Sequence, residues 1–242
     1  MFDHGYPCPE LIVDVVNRDG LAISIEAFAS AGSMSSRDAQ QPALHARWLE
    51  RFVRLAPDAS AIPTLQPSPP WLDWDLPRAV LWPTADDRPE DLNTILHASW
   101  IDDLAAAARR ILVSTSLPWK VGHGDWESFN LSWDRDELVA AYDVDSVVAL
   151  PEAAIAGAAS AVFPACGEPV TADAAGCDAF LDAYAQARQQ AWNDEERRVA
   201  WAAGTWLMAY NAKKESIDGL GPLQSQLRRD GRDRMARMAT AM

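Results

Sequence analysis

Apolar positions along the chain follow two different periods. Leu11 to Val16 and Leu21 to Ile25 are β-branched apolar runs joined by Asn17-Arg18-Asp19-Gly20, and that tetrapeptide supplies turn chemistry, so a β-hairpin is predicted. Residues Ala27 to Ser36 read as a small-residue connector. The period then changes. Trp48, Leu49, Phe52 and Leu55 recur at helical spacing and Pro42 suits a first turn, which predicts a helix over 42–55. Residues 57–93 are rich in proline and tryptophan and carry no period, so they predict an irregular lid or linker. Ser99 is placed as the cap of the next helix, with Asp102 in its first turn and Ile101, Leu104, Ala105, Ala108, Ile111 and Leu112 on one face. Residues 121–150 alternate short apolar runs with polar turns and predict a second hairpin. Helical spacing governs the rest, over roughly 151–163, 173–191, 194–212 and 222–239. Strands first and helices after predict an α+β chain with a mainly helical second lobe.

Charge and composition narrow the function. The 242 residues carry a formal net charge of −14, which repels a nucleic-acid backbone and can concentrate a small cation. Solubility alone also explains an acidic surface. No apolar run approaches the roughly 18–20 residues of a membrane span, and the N-terminal residues lack the basic-then-apolar pattern of a secretory signal. Three cysteines, odd in number and without a CxxC pair, point to a reducing cytoplasm rather than to a disulfide framework or a zinc site. The expected partner is therefore a small molecule, with no nucleic acid and no membrane.

The chemistry-bearing stretch is Val121-Gly-His-Gly-Asp-Trp-Glu-Ser-Phe-Asn-Leu-Ser-Trp, followed by Ala141-Tyr-Asp-Val-Asp-Ser. Asn130 lies five residues after Asp125, and Asp143 thirteen after Asn130 across a hairpin. Phosphoryl transfer needs a carboxylate to accept the proton of an attacking hydroxyl and hard oxygen ligands for Mg²⁺. Asp125 at a loop tip suits the first need. A tight ribbon sets Asn130 beside Asp143 for the second, and Asp145 shares a face with Asp143 if the strand continues. The competing reading, that these residues merely cap turns, leaves the histidine, the asparagine and both spacings unexplained.

His-Gly-Asp-x-x-x-x-Asn followed by Asp-x-Asp resembles the catalytic loop and metal motif of the aminoglycoside phosphotransferase and choline kinase family, relatives of the protein kinases. The resemblance implies a protein-kinase-like α+β fold, ATP and Mg²⁺ as cofactors, Asp125 as catalytic base, Asn130 and Asp143 on the metal with Asp145 assisting, and His123 holding the loop in place. It also makes Glu26, Ala27 and Phe28 the hinge that holds adenine. Residues 1–30 then form the remnant of the nucleotide lobe, and 31–242 the helical catalytic and substrate lobe of one phosphotransferase domain. The resemblance spans roughly Tyr6 to Lys214. Its departure is at the front: the family places a phosphate-binding lysine and a glycine loop before the hinge, whereas only Lys120, Lys213 and Lys214 occur here. The reading is a phosphotransferase with a truncated N-terminal β lobe, and the alternative is a catalytically impaired binding or regulatory module on the same scaffold.

The family builds its acceptor pocket from the helices after the metal motif. Asp178, Asp182 and Trp206 are the substrate candidates there, since carboxylates attract an amine and an indole face holds a cation. The acceptor implied is a small cationic alcohol, an amino sugar or a choline-like molecule. Core packing is the ordinary explanation for a tryptophan at helical spacing.

Overall fold

The computed structural model describes residues 4–19, 21–28, 32, 41–62, 65, 68–77 and 79–239. The elements run β1 (Leu11–Arg18), β2 (Leu21–Glu26), α1 (Pro42–Leu55), α2 (Ser99–Leu112), β3 (Trp119–His123), β4 (Leu131–Asp134), β5 (Glu137–Ala141), β6 (Val147–Pro151), α3 (Glu152–Val162), α4 (Ala174–Ala187), α5 (Asp194–Glu215) and α6 (Pro222–Ala239). This is an α+β chain with, among the described residues, three two-stranded antiparallel sheets and a helical C-terminal part. Most of the connector expected over 27–36, and the boundary placed at residue 30, lie outside the described residues.

Helix α5 is the centre of the body. An Asn193 and Glu196 capping box starts it, and Val199 to Tyr210 is buried throughout. A helix apolar on every side needs partners on every side. α2, α3 and α6 pack against it, and α1 packs on α4. Seven of the eleven residues of α3 are alanine or glycine, which lets the two backbones approach closely: a Cβ on Gly157 would overlap the Ala200 backbone, and one on Gly204 would lie 2.7 Å from the Gly157 carbonyl oxygen. Ser99 does not cap α2, whose cap position is Ala98 without a side-chain bond. Asp102 instead accepts hydrogen bonds from the Trp82 indole at 2.7 Å and from the buried Lys213 ammonium at 2.9 Å.

The proline- and tryptophan-rich excursion is packed rather than loose. Leu72, Trp74, Trp82 and Leu92 are buried, and Trp74 and Trp82 close on Trp206 with ring centroids 6.5 and 5.4 Å apart. Its backbone is held by Arg109, which donates to the Trp74 and Val80 carbonyls at 2.7 Å, and by Asn93, which bonds the backbone of Leu81 and Trp82. The β1–β2 hairpin is the opposite case: every residue of both strands is exposed, Ile12, Val16 and Ile23 included. Among the described residues, no helix is long and apolar enough to cross a membrane.

Candidate active site

Strand β3 delivers the site. It pairs antiparallel with β6, setting His123 opposite Val147, and its last residues enter a loop that closes on the end of α3. Ser128 N–H and Oγ both donate to the Phe163 carbonyl, and Phe129 N–H donates to Ala165. At the root of the loop Gly124 N–H donates to the Ser146 carbonyl at 2.7 Å, and a Cβ there would lie 2.8 Å from the same oxygen, so only glycine fits. The Trp71 indole donates to the Gly124 carbonyl and that of Trp126 to His45. The loop is thus tied to four separate segments.

His123 bridges both sides of the site. A carbonyl can only accept, so Nε2 carries the hydrogen that reaches Tyr142 O at 2.9 Å. Nδ1 is then free to accept the Asp125 amide hydrogen at 3.2 Å. Burial lowers the imidazole's proton affinity against the pull of the nearby carboxylates and keeps this neutral tautomer.

The ribbon β4–β5 opens at Asn130 and Asp143. Asn130 lies just before β4, its carbonyl accepts Tyr142 N–H at 2.9 Å, and Asp143 follows directly. Asn130 Nδ2 donates to both the Asp125 carbonyl and Asp125 Oδ2 at 2.9 Å. Both partners are acceptors, so the amide nitrogen is fixed toward Asp125 and Oδ1 faces away. The strand does not continue to Asp145. It ends at Ala141; Asp143 adopts a left-handed φ of 59°, and residues 144–146 form a single 3₁₀ turn. That turn carries Asp145 back to Asp143, and sharing a hydrogen with Asp143, together with burial, raises the Asp145 carboxyl above its ordinary value.

Asp125 is also raised, chiefly by burial and against the stabilising bond from Asn130. Glu127 is raised furthest, to about 8, by burial and then by the charges of Asp125 and Asp143. The reading of the motif passed over Glu127. Its signal was a carboxylate between Trp126 and Ser128, both fully buried. Because Glu127 holds its proton more tightly folded than unfolded, its contribution to stability is complete below 4.5 and drains away as pH rises to about 8. Glu127→Gln removes that slope. In metal-free protein the variant is expected to be the more stable one at pH 9, by about 1–4 kcal/mol, with the gap closing toward pH 5. Chemical denaturation across that range measures it, and parallel curves for the two proteins contradict it.

Two cavities meet at this loop. One, of about 250 Å³, is bordered by Trp71, Asp86, Asp125, Glu127, Tyr210 and Lys214 among others; the second, of about 460 Å³, shares Glu127, Val162, Asn211 and Lys214 with it. Asp178 and Asp182 border neither: Asp178 pairs with Arg237 at 2.8 Å and Asp182 with Arg197 at 2.9 Å. Trp206 is fully buried in the indole cluster and borders neither cavity. Glu26, Ala27 and Phe28 also lie away from both cavities at the end of the exposed hairpin, where Ala27 N–H donates to Glu10 O and Phe28 is 91% exposed. The aromatic residues bordering the smaller cavity are Trp71 and Tyr210.

Two solved structures match over 99% of the chain. A choline/ethanolamine kinase family protein from Mesorhizobium loti is 14% identical, with 75% of its own chain covered and a TM-score of 0.53. An aminoglycoside phosphotransferase from Alicyclobacillus acidocaldarius subsp. acidocaldarius DSM 446 is 12% identical, with 78% covered and a TM-score of 0.54. The chain has the fold of these small-molecule kinases. No family model and no curated protein matches its sequence. In this kinase-like fold, no group of three or more His, Cys, Asp or Glu among the described residues is arranged to hold a metal ion. Magnesium bound with nucleotide needs fewer protein ligands, since phosphates and waters complete its shell. The Asn130 amide oxygen, left free by the nitrogen's bonds to Asp125, and two carboxylates sharing a hydrogen at 143 and 145 fit such an ion, which would replace that hydrogen.

Proposed function

We propose that the chain is an ATP-dependent phosphotransferase that moves the γ-phosphate to a hydroxyl of a small cationic acceptor. The observation that carries this reading is the meeting of Asp125, Asn130 and Asp143 in one loop-and-ribbon assembly, with a cavity at Asp125, inside a fold shared with small-molecule kinases. Asp125 accepts the proton of the acceptor hydroxyl as its oxygen attacks the γ-phosphorus, and the bond to the β-bridging oxygen breaks to release ADP. Asn130 fixes Oδ2 of Asp125, leaving Oδ1 toward the acceptor. Asn130 Oδ1, Asp143 and Asp145 would hold Mg²⁺, which neutralises phosphate charge when bound. His123 positions the loop by tying Asp125 to Tyr142. Residues 1–30 serve as the nucleotide side, with Glu26 to Phe28 as hinge, and 31–242 as the catalytic and acceptor side.

A second reading is a ligand-binding module that does not turn over. The hairpin exposed on both faces favours it. Metal binding tests the first reading: with Mn²⁺ as probe and ADP present, Asp143→Ala is expected to weaken metal binding by at least about 10-fold, read from water-proton relaxation. Unchanged Mn²⁺ affinity removes Asp143 from the site.

A further inference from the structure

We propose that Glu127 determines acceptor specificity: its carboxylate takes the ammonium group of an amino alcohol whose hydroxyl reaches Asp125, with the Tyr210 hydroxyl as a second polar contact. This rests on reading the Asp125 cleft as the acceptor site. The assignment begins from position. Glu127 is the acidic residue common to both cavities, so a ligand passing from one to the other meets it.

Pairing points the same way. The cations on these walls are already matched: Lys214 Nζ lies 2.8 Å from Asp87 Oδ2, and Arg88 lies 2.7 Å from Asp218 Oδ2. The Glu127 side chain forms no hydrogen bond or ion pair among the described residues, and its near charges, Asp125 and Asp143, are of its own sign. A half-buried acid without a partner keeps its proton, and an arriving ammonium is the kind of group that pairs with its carboxylate form. Asp86, on the same wall, adds to the negative potential.

Tyr210 is the independent observation. It borders the smaller cavity, its side chain is fully buried, and its hydroxyl has no hydrogen-bond partner. A buried hydroxyl of this kind is expected to find a partner. The Trp71 face on the same cavity suits an alkylammonium or sugar ring. A neutral alcohol of equal size satisfies the hydroxyl but gives Glu127 no charge partner, so charge, more than shape, selects the acceptor.

Calorimetry on the full chain with Mg²⁺ and ADP tests this, using glucosamine, ethanolamine and a 2-deoxystreptamine amino sugar, each beside its N-acetylated form. Wild-type protein is expected to prefer at least one amine over its N-acetylated form by roughly 10- to 100-fold. Glu127→Gln should erase that preference and Glu127→Asp should retain part of it, while Tyr210→Phe weakens both forms by roughly 2- to 10-fold. The proposal is overturned if no amine is preferred, if Glu127→Gln keeps the preference, or if its effect falls on the Mg²⁺ requirement for both forms alike. Turnover is read separately. An amine preference that depends on Glu127, without consumption of MgATP, would sink the phosphotransfer reading and leave the specificity assignment standing.

Discussion

Asp125→Asn is expected to lower turnover by about 10²- to 10⁴-fold, the usual contribution of a positioned general base. Nucleotide affinity should stay within a few-fold of wild type, because the substitution touches neither Asn130 Oδ1 nor Asp143. The substituted amide keeps an oxygen to accept from Asn130 Nδ2, so the loop geometry survives and the loss is chemical. Burial raises the Asp125 carboxyl, which makes the carboxylate a stronger proton acceptor than one in open water. Steady-state kinetics with a coupled ADP assay, beside nucleotide binding, read the two effects apart. A variant that turns over at the wild-type rate means another group takes the proton.

Gly157→Ala carries the largest expected effect on stability. Alanine is intrinsically the better helix former by about 1 kcal/mol, so propensity alone predicts a gain. The added Cβ would instead overlap the Ala200 backbone, and α3 and α5 must separate. Overpacking of this kind costs about 3 kcal/mol or more when backbone has to move. For a chain of this size that is a fall in Tm of roughly 6–12 °C. Gly231→Ala in α6 is the control: its Cβ would meet only the end of the Leu104 side chain at 3.3 Å, and the variant should be neutral or more stable. Thermal melts showing equal shifts for both substitutions would contradict the close α3–α5 crossing.

The helices were legible because their apolar positions keep one period over many residues: α1 begins and ends where Pro42 and Leu55 placed it, and α3 to α6 agree to within a few residues. Strand β6 was hidden because Val147 to Leu150 is a short apolar run joined directly to an alanine-rich helix, and periodicity cannot separate the two. The described residues of the excursion over 57–93 form only short 3₁₀ turns, so nothing in its pattern distinguishes a loose lid from a layer packed through Trp74 and Trp82. Within the site, the motif spacing anticipated the approach of Asn130 to the residues around Asp143, since one ribbon sets both, but not the hydrogen bond from Asn130 to Asp125. The cleft wall is another matter. Trp71, Asp86, Glu127 and Tyr210 come from separate segments, and only tertiary packing brings them together. Tyr210 is buried in the core, yet its unpartnered hydroxyl is invisible to any sequence pattern.

Phosphorus NMR of the full chain with MgATP and the amine panel puts the central claim to its most direct test. The account predicts a new phosphate-monoester resonance that grows in step with ADP and appears only when acceptor is present. ATP left intact, or converted to ADP and inorganic phosphate without any ester, would contradict phosphoryl transfer at Asp125.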